Sequence, residues 1–192
     1  MIPISHQDNE DLWLAKLRKI YADRNIPIMT LQTWFYLKQL LDKYQPYSSL
    51  EIGTAVWFGT MLIACQVHKW WGQIVSFEIS YPSYHQALQY MSQWWVTNTS
   101  LYHLDFLKVD LSLYLTHPLD FVWIDGQKSQ YPSYILKVLP YLSPGAICVL
   151  DDVVQYPQTQ DRIRQIADQH GYYYHIVSLS DGDGLGLFSK RV

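Results

Sequence analysis

The sequence is poor in cysteine and in charge, and it contains no long apolar run. Its two cysteines, Cys65 and Cys148, each lie within apolar stretches and suggest neither a disulfide framework nor a metal cluster, so we expect a reducing compartment. The formal net charge of -3 gives no electrostatic argument for nucleic acid as a partner. No run approaches the length of a membrane span, and the amino-terminal residues MIPISHQDNE are too polar for a signal peptide. We expect a cytoplasmic protein that binds neither nucleic acid nor membrane.

Apolar residues make up 49% of the 192 residues, which is enough for one domain with a substantial core. Runs typical of strands alternate with helical patterns. The predicted strands are Ser49–Ile52, Gln73–Ile79, Ser100–His103, Phe121–Ile124, Ala146–Leu150, Tyr173–Val177 and Gly184–Ser189. The predicted helices are Asp8–Tyr21, Thr30–Tyr44, Phe58–Trp70, Ser83–Val96, Val109–Leu115, Tyr131–Leu142 and Thr159–His170.

This alternation predicts an α/β fold: a Rossmann-like, doubly wound, mostly parallel sheet of about seven strands with helices on both faces. The last two strands are joined by the short segment SLSDGDG, which favours a hairpin and therefore an antiparallel last strand. We expect one domain over residues 1–192, with amino-terminal helices in 1–46 and the α/β core in 47–192.

The stretch LDFVWIDGQKSQYPSY, residues 119–134, places an acidic residue where a ligand is expected. A buried apolar run ends at Asp125, Gly126 allows a turn, and a helical pattern begins at Tyr131. In open α/β sheets, ligands bind outside the carboxyl ends of the strands. Lys128 follows Asp125 closely, and beside a cation it could act as a base, although an ordinary surface lysine is an equal alternative.

The first two strands also end in residues suited to a ligand. Glu51 and Gly53 lie at the turn after the first strand, where helix N–H groups can receive a ligand, although an ordinary tight turn explains the glycine equally well. Glu78 ends the second strand, close to where an acidic residue grips a ribose in nucleotide-binding folds. Because acidic residues repel a diphosphate, a nucleoside with little negative charge fits better than a dinucleotide.

Three carboxylates follow two of the predicted strands. Asp125 follows Phe121–Ile124, and Asp151 and Asp152 follow Ala146–Leu150. If the strands are neighbours, the three converge at one edge of the sheet. Oxygen ligands of this kind suit Mg²⁺, Ca²⁺ or Mn²⁺. The alternative is that one or more of them caps the following helix.

These motifs resemble class I S-adenosylmethionine (SAM)-dependent methyltransferases, in particular the cation-dependent O-methyltransferases of the catechol and caffeoyl-CoA type. The family pattern L-E-I-G-T matches Leu50–Thr54, and F-D-x-V-F-I-D-A-x-K-x-x-Y-x-x-Y matches LDFVWIDGQKSQYPSY. The patterns L-x-P-G-G-x-x-x-x-D-N and G-D-G-L-x-x-x-x-K match LSPGAICVLDD and GDGLGLFSK. The resemblance runs from about residue 26 to residue 190.

The resemblance implies a SAM-dependent O-methyltransferase that acts on a small hydroxylated acceptor with help from Mg²⁺ or another divalent cation. It implies Lys128 as the catalytic residue near the acceptor hydroxyl. The implied cofactor-binding residues are Glu51, Gly53, Thr54, Glu78, Asp105 and Asp125, with Glu78 on the ribose and Asp105 near the adenine. The implied metal ligands are Asp125, Asp151 and Asp152.

The chain departs from the family pattern at three places. Trp57 stands where the family has glycine in the loop around the methionine part of the cofactor, so that its side chain would swing out or clash unless Gly59 restores room nearby. Asp152 replaces an asparagine, and the connection after it is short. Two other functions therefore stay open: a non-catalytic methyltransferase-fold binding protein, and a nucleotide-sugar or nicotinamide enzyme on the same sheet. The oligomeric state is also open, with a homodimer as one alternative.

Overall fold

The computed structural model describes residues 19, 29–94, 96–180, 182 and 184–191. The chain divides into two compact units, Met1–Thr30 and Leu31–Val192, and nearly all described residues belong to the second. Apart from Lys19, the predicted helix at Asp8–Tyr21 lies outside the described residues.

Seven strands form a single sheet in this part of the chain. They are β1 Ser48–Ile52, β2 Gln73–Glu78, β3 Thr99–His103, β4 Leu119–Ile124, β5 Leu142–Leu150, β6 Tyr172–Ser178 and β7 Gly184–Lys190. Their order is β3-β2-β1-β4-β5-β7-β6. β7 runs antiparallel to both of its neighbours, and the other pairs are parallel. The predicted fold class, with its antiparallel last strand, is confirmed.

Five α-helices accompany the sheet among the described residues. They are α1 Leu31–Tyr44, α2 Phe58–His68, α3 Tyr81–Trp94, α4 Tyr131–Val138 and α5 Pro157–His170. All but α4 agree with predicted helices to within two residues at each end. α4 ends before the predicted Leu142 because Pro140 has no N–H to donate to the carbonyl four residues earlier, and a 3₁₀ turn follows at Leu139–Tyr141. None of the described helices is long and apolar enough to cross a membrane.

The predicted helix at Val109–Leu115 is replaced by two 3₁₀ turns, Phe106–Lys108 and Leu111–Leu113. Asp105 precedes the first turn and Asp110 the second, and each side chain accepts a hydrogen bond from the N–H two residues further on. Local bonds of this kind compete with helical hydrogen bonding. The segment therefore folds as two capped turns.

The central strands are buried on both faces, as their unbroken apolar runs predict. In β4, the side chains of residues 121–124 are at most 1% exposed. Ile52 of β1 pairs with Phe77 of β2 and Ile124 of β4, and Ile124 pairs with Leu150 of β5. Glu78 at the end of β2 likewise pairs with His103 at the end of β3. This register brings the loops after β1, β2, β3, β4 and β5 out at one side of the sheet, which we call the carboxyl edge.

Candidate active site

Gly53 lies where the chain leaves β1, in close contact with the end of β4. Its φ of 97° is in the left-handed region, and a Cβ at this position would lie 2.5 Å from the backbone oxygen of Asp125. The Asp125 N–H donates a 2.9 Å hydrogen bond to the carbonyl of Ile52, and the Gly53 N–H donates a 2.9 Å bond to the carbonyl of Phe77. The two loops thus meet backbone to backbone, and only glycine leaves room for that approach.

Glu78 connects the end of β2 to the loop after β1. One carboxylate oxygen accepts a 2.7 Å hydrogen bond from the Ala55 N–H, and the other accepts a 2.7 Å bond from the Ser80 N–H. The side chain is 6% exposed. Each oxygen keeps a further lone pair, so the carboxylate can accept a ligand hydroxyl without giving up its backbone partners.

Glu51, near the end of β1, is buried in a network of hydroxyl groups. Its Oε2 accepts hydrogen bonds from Thr60 Oγ1 and Ser76 Oγ, and Ser76 Oγ shares a hydrogen bond with Thr54 Oγ1. Burial chiefly raises the pKa of Glu51 to about 8; the hydrogen bonds from Ser76 and Thr60 oppose the rise, and the charges of Asp125 and Glu78 add to it. Glu51 and Thr54, both predicted to bind cofactor, thus form a buried support under the loop after β1.

Asp125 and Lys128 form an ion pair at the end of β4. Lys128 Nζ donates 2.8 Å hydrogen bonds to Asp125 Oδ1 and to the hydroxyl of Tyr131, which donates in turn to the Asp151 carbonyl at 3.1 Å. Burial raises the pKa of Asp125, Lys128 opposes the rise, and Asp152 adds to it. The lysine predicted to serve the acceptor is thus held between a carboxylate and a phenol.

Tyr131 is a member of this network that sequence reasoning missed. Its side chain is fully buried, and its pKa is raised well above the ordinary value by burial and then by the charges of three aspartates. The available signal was its spacing from Lys128, because residues three apart share one side of a helical turn. The hydroxyl joins Lys128 to the backbone after β5.

Asp151 and Asp152 follow β5, next to Asp125 as the sheet order requires. Asp152 has a φ of 49°, and its Oδ1 is buried without a hydrogen-bond partner among the described residues. Within that same part of the chain, no group of three or more His, Cys, Asp or Glu side chains is arranged to hold a metal ion. The donor oxygens suit a hard cation. Lys128 Nζ lies 2.8 Å from Asp125 Oδ1 and so compensates the charge of that carboxylate.

Asp105 follows β3. Its Oδ1 caps the next turn by accepting a 3.1 Å hydrogen bond from the Leu107 N–H, and its Oδ2 lies 3.1 Å from Lys108 Nζ. The Lys108 side chain is 83% exposed, so this ion pair is open to solvent. A weak surface pair of this kind can yield to a ligand donor.

Trp57 precedes α2 with a φ of 82°, a left-handed conformation that favours glycine. Its side chain is 0% exposed, and its indole N–H finds no hydrogen-bond partner within the described part of the chain. Of the two alternatives that the sequence raised, the side chain does not swing out into solvent. It is buried within the protein at the last position of the loop that joins β1 to α2.

The sheet order, the close contact of the loops after β1 and β4, and the acidic groups at the carboxyl edge define a Rossmann-like protein with a candidate ligand site at that edge. The chain belongs to the O-methyltransferase family, whose model matches residues 4–170. The resemblance stated from the motifs is thereby confirmed.

Solved structures share the fold over nearly the whole chain. TomG from Streptomyces achromogenes, an O-methyltransferase of tomaymycin synthesis in complex with SAM, is 21% identical over 93% of this chain and 89% of its own, with a TM-score of 0.76. An O-methyltransferase from Bacillus cereus in complex with S-adenosylhomocysteine (SAH) is 21% identical over 99% and 94%, with a TM-score of 0.78. The SAH-bound methyltransferase PaMTH1 from Podospora anserina is 13% identical over 100% and 99%, with a TM-score of 0.77.

Proposed function

We propose that the protein transfers a methyl group from SAM to a hydroxyl group of a small acceptor. The observation that carries the proposal is the carboxyl edge itself, where Gly53 meets Asp125 and Glu78 faces the same loop. Membership of the O-methyltransferase family and the SAM and SAH complexes of similar folds support it. A small-molecule acceptor and a cytoplasmic location belong to the same proposal, with the net charge of -3 arguing against nucleic acid.

The cofactor site would be built from residues of three loops. Glu78 would accept the ribose hydroxyls, the Gly53–Thr54 turn would lie against the methionine part, and Asp105 would face the adenine. Gly53 supports this assignment because its missing side chain lets the loop after β1 meet the end of β4 at the carboxyl edge. SAM, when bound, supplies an electrophilic methyl group on a sulfonium.

The protein's contribution to the reaction would be orientation and proton transfer. The acceptor oxygen must stand in line with the methyl–sulfur bond, and holding it there supplies much of the rate. Lys128 would pass a proton to Asp125, with which it is hydrogen-bonded and whose pKa is raised by burial. The resulting neutral amine would take the acceptor proton as the C–O bond forms and the C–S bond breaks. Asp125 and Tyr131 would hold its Nζ in position, as the two 2.8 Å hydrogen bonds suggest.

Assistance by a divalent cation stays a prediction. The unpartnered Oδ1 of Asp152 favours it, and the ion pair between Lys128 and Asp125 opposes it, because an ammonium group already compensates that carboxylate. No step above depends on a cation.

Calorimetry with SAH tests the proposed function. The wild-type chain should bind SAH, and NAD and a nucleotide sugar should not bind. The variant Glu78→Ala should lose about 1.5–3 kcal/mol of binding free energy, the range for a hydrogen bond to a charged group. Asp161→Ala, at an exposed position on α5, is the matched control and should bind as the wild type does.

Absence of SAH binding by the folded wild type would remove the methyltransferase proposal. Unchanged affinity in folded Glu78→Ala would remove only Glu78 from the site. SAH binding without SAH production from SAM and catechol-type acceptors would favour the alternative of a non-catalytic binding protein, for which the buried Trp57 is the motivating feature.

A further inference from the structure

Lys137 of α4 reaches into the loop that follows β3. Its Nζ donates a 2.8 Å hydrogen bond to the carbonyl of Leu107 and a 2.6 Å bond to the carbonyl of Val109, and it lies 5.5 Å from the centre of the Phe106 ring. One ammonium group therefore fixes both ends of a three-residue segment of backbone.

Within the loop at residues 105–110, two capped turns and the buried ring of Phe106 provide the other contacts. The loop consists of a capped turn, a link and the cap of a second turn, with Asp105 and Asp110 as the caps. Burial lowers the pKa of Lys137, and the charges of these two aspartates oppose that change. The half-buried ammonium is thus hydrogen-bonded to two carbonyl groups of the loop, and the charges of two aspartates on the same loop favour its protonated form.

α4 also connects this loop to the end of β4. The Phe106 ring meets the edge of Tyr134 at 5.7 Å, and a Cβ at Gly126 would lie 3.1 Å from the Tyr134 ring. Phe106 packs in turn against Phe77, the residue before Glu78, at 5.5 Å. The loop, the turn after Asp125 and the end of β2 are therefore packed around one helix.

We propose that Lys137 is a positioning residue for the purine end of the cofactor site, a role that rests on the proposed function. By fixing the carbonyls of Leu107 and Val109, it holds Asp105 at the carboxyl edge with its carboxylate available to a hydrogen-bond donor on the base. Lys137 itself does not touch the ligand. An amino-purine, which presents such a donor, is then preferred over an oxo-purine, which presents an acceptor at the same place.

The test compares two ligands on one variant. Lys137→Met keeps most of the length and apolar stem of the side chain and removes all three donors. Calorimetry with SAH should show an affinity about tenfold lower than in the wild type, as expected for lost charge-assisted hydrogen bonds. S-inosylhomocysteine, with an oxygen in place of the amino group, should bind wild type and variant within about twofold of each other. The preference for the amino-purine should therefore nearly disappear.

Lys108→Met is the matched control, because it removes an exposed ammonium from the same loop. It should change the affinity for SAH and for S-inosylhomocysteine by no more than about twofold, because a surface ion pair contributes little free energy. If Lys137→Met unfolds, as judged by circular dichroism, Lys137→Gln keeps a donor and should give an intermediate preference.

Three results would overturn the positioning role: an unchanged preference in the folded Lys137 variants, an equal loss for both ligands, or the same effect in Lys108→Met. An equal loss would assign Lys137 a structural role only. Failure of wild-type SAH binding would instead reject the proposed function, so the two failures are distinguishable.

Discussion

Glu51 is an acidic side chain that the fold buries among hydroxyl groups at the end of β1. Its pKa is raised from the ordinary 4.5 to about 8, mainly by burial. Because the folded state binds the proton more tightly than the unfolded state, its contribution to stability is complete below the unfolded pKa and is lost as pH rises through the folded pKa. Between about pH 5 and pH 8, each pH unit should cost up to about 1.4 kcal/mol.

Glu51→Gln should remove this dependence, since the amide keeps an acceptor oxygen for the hydroxyls and carries no charge. Urea unfolding at pH 5, 7 and 9 should show the wild type losing stability and the variant changing much less, with the variant more stable at pH 9. Parallel pH profiles for the two proteins would show that Glu51 ionises normally and that the buried network does not retain its proton.

Replacing Trp57 by glycine changes the free energy of unfolding in two opposite ways. Replacement by glycine relieves a left-handed backbone, worth about 1–2 kcal/mol, and deletes a buried indole, which costs about 3–5 kcal/mol for truncation to alanine. The cavity term is larger, so Trp57→Gly should lower the free energy of unfolding by about 2 kcal/mol and weaken SAH binding. Denaturant unfolding and calorimetry measure the two effects.

Trp57→Phe is the matched control because it keeps a ring and removes the unpartnered N–H. It should lose less stability than Trp57→Gly, because the remaining ring fills most of the space of the indole. Tighter SAH binding by Trp57→Gly would show instead that the indole fills the methionine pocket.

At the scale of the elements, the contact between the loops after β1 and β4 depends on one glycine. Gly53→Ala would force a Cβ to within 2.5 Å of the Asp125 carbonyl oxygen, at a φ of 97°. The loops must separate, so the variant should lose at least about 2 kcal/mol of stability and most of its SAH affinity. Gly145→Ala in β5 is the control, because no described atom lies within 4 Å of a Cβ there and its φ is not positive. A Gly53→Ala melt equal to that of Gly145→Ala would contradict the close contact.

Most helices and strands were predictable from the sequence, and the predictions that were wrong have local causes. Unbroken apolar runs located the central strands, since such runs are typical of strands buried on both faces. The helix predicted at Val109–Leu115 failed because Asp105 and Asp110 offer the backbone capped turns instead. The helix predicted to end at Leu142 stops early at Pro140. Side-chain caps and a proline without an N–H act within a few residues. A pattern of apolar residues over a whole helix does not show such local effects.

At the scale of the whole molecule, the sequence predicted which residues lie at the ends of the strands. It did not predict the order of all the strands or the contacts between side chains. It predicted that Glu78 and Asp125 lie at one edge of the sheet, because the carboxyl ends of parallel strands share an edge, and the strand register agrees. It missed Tyr131 and Lys137, whose roles depend on where α4 lies after folding. It also left unpredicted the position of β7 between β5 and β6, because strand order is a matter of long-range pairing.

The predicted binding of a divalent cation is tested by the melting temperature of the whole chain with and without metal. A divalent ion must displace Lys128 Nζ from Asp125, so binding to the wild type should be weak, with a small rise in melting temperature at millimolar Mg²⁺, Mn²⁺ or Ca²⁺. Lys128→Met removes the competitor and leaves Asp125 uncompensated, so this variant should melt lower without metal and gain more from it. At a concentration ten times Kd the gain is about 1.4 kcal/mol.

Asp151→Ala should abolish the gain in both backgrounds while leaving the fold intact, because a strand-end carboxylate lies outside the apolar core. The control is Asp168→Ala, which removes a carboxylate that is 72% exposed on α5 and should leave the metal response unchanged. If none of the three ions moves the midpoint of the wild type or of Lys128→Met, the carboxylates after β4 and β5 do not bind a cation. In that case the positive charge beside Asp125 is supplied by Lys128 alone, and cation-assisted methyl transfer is excluded for this chain.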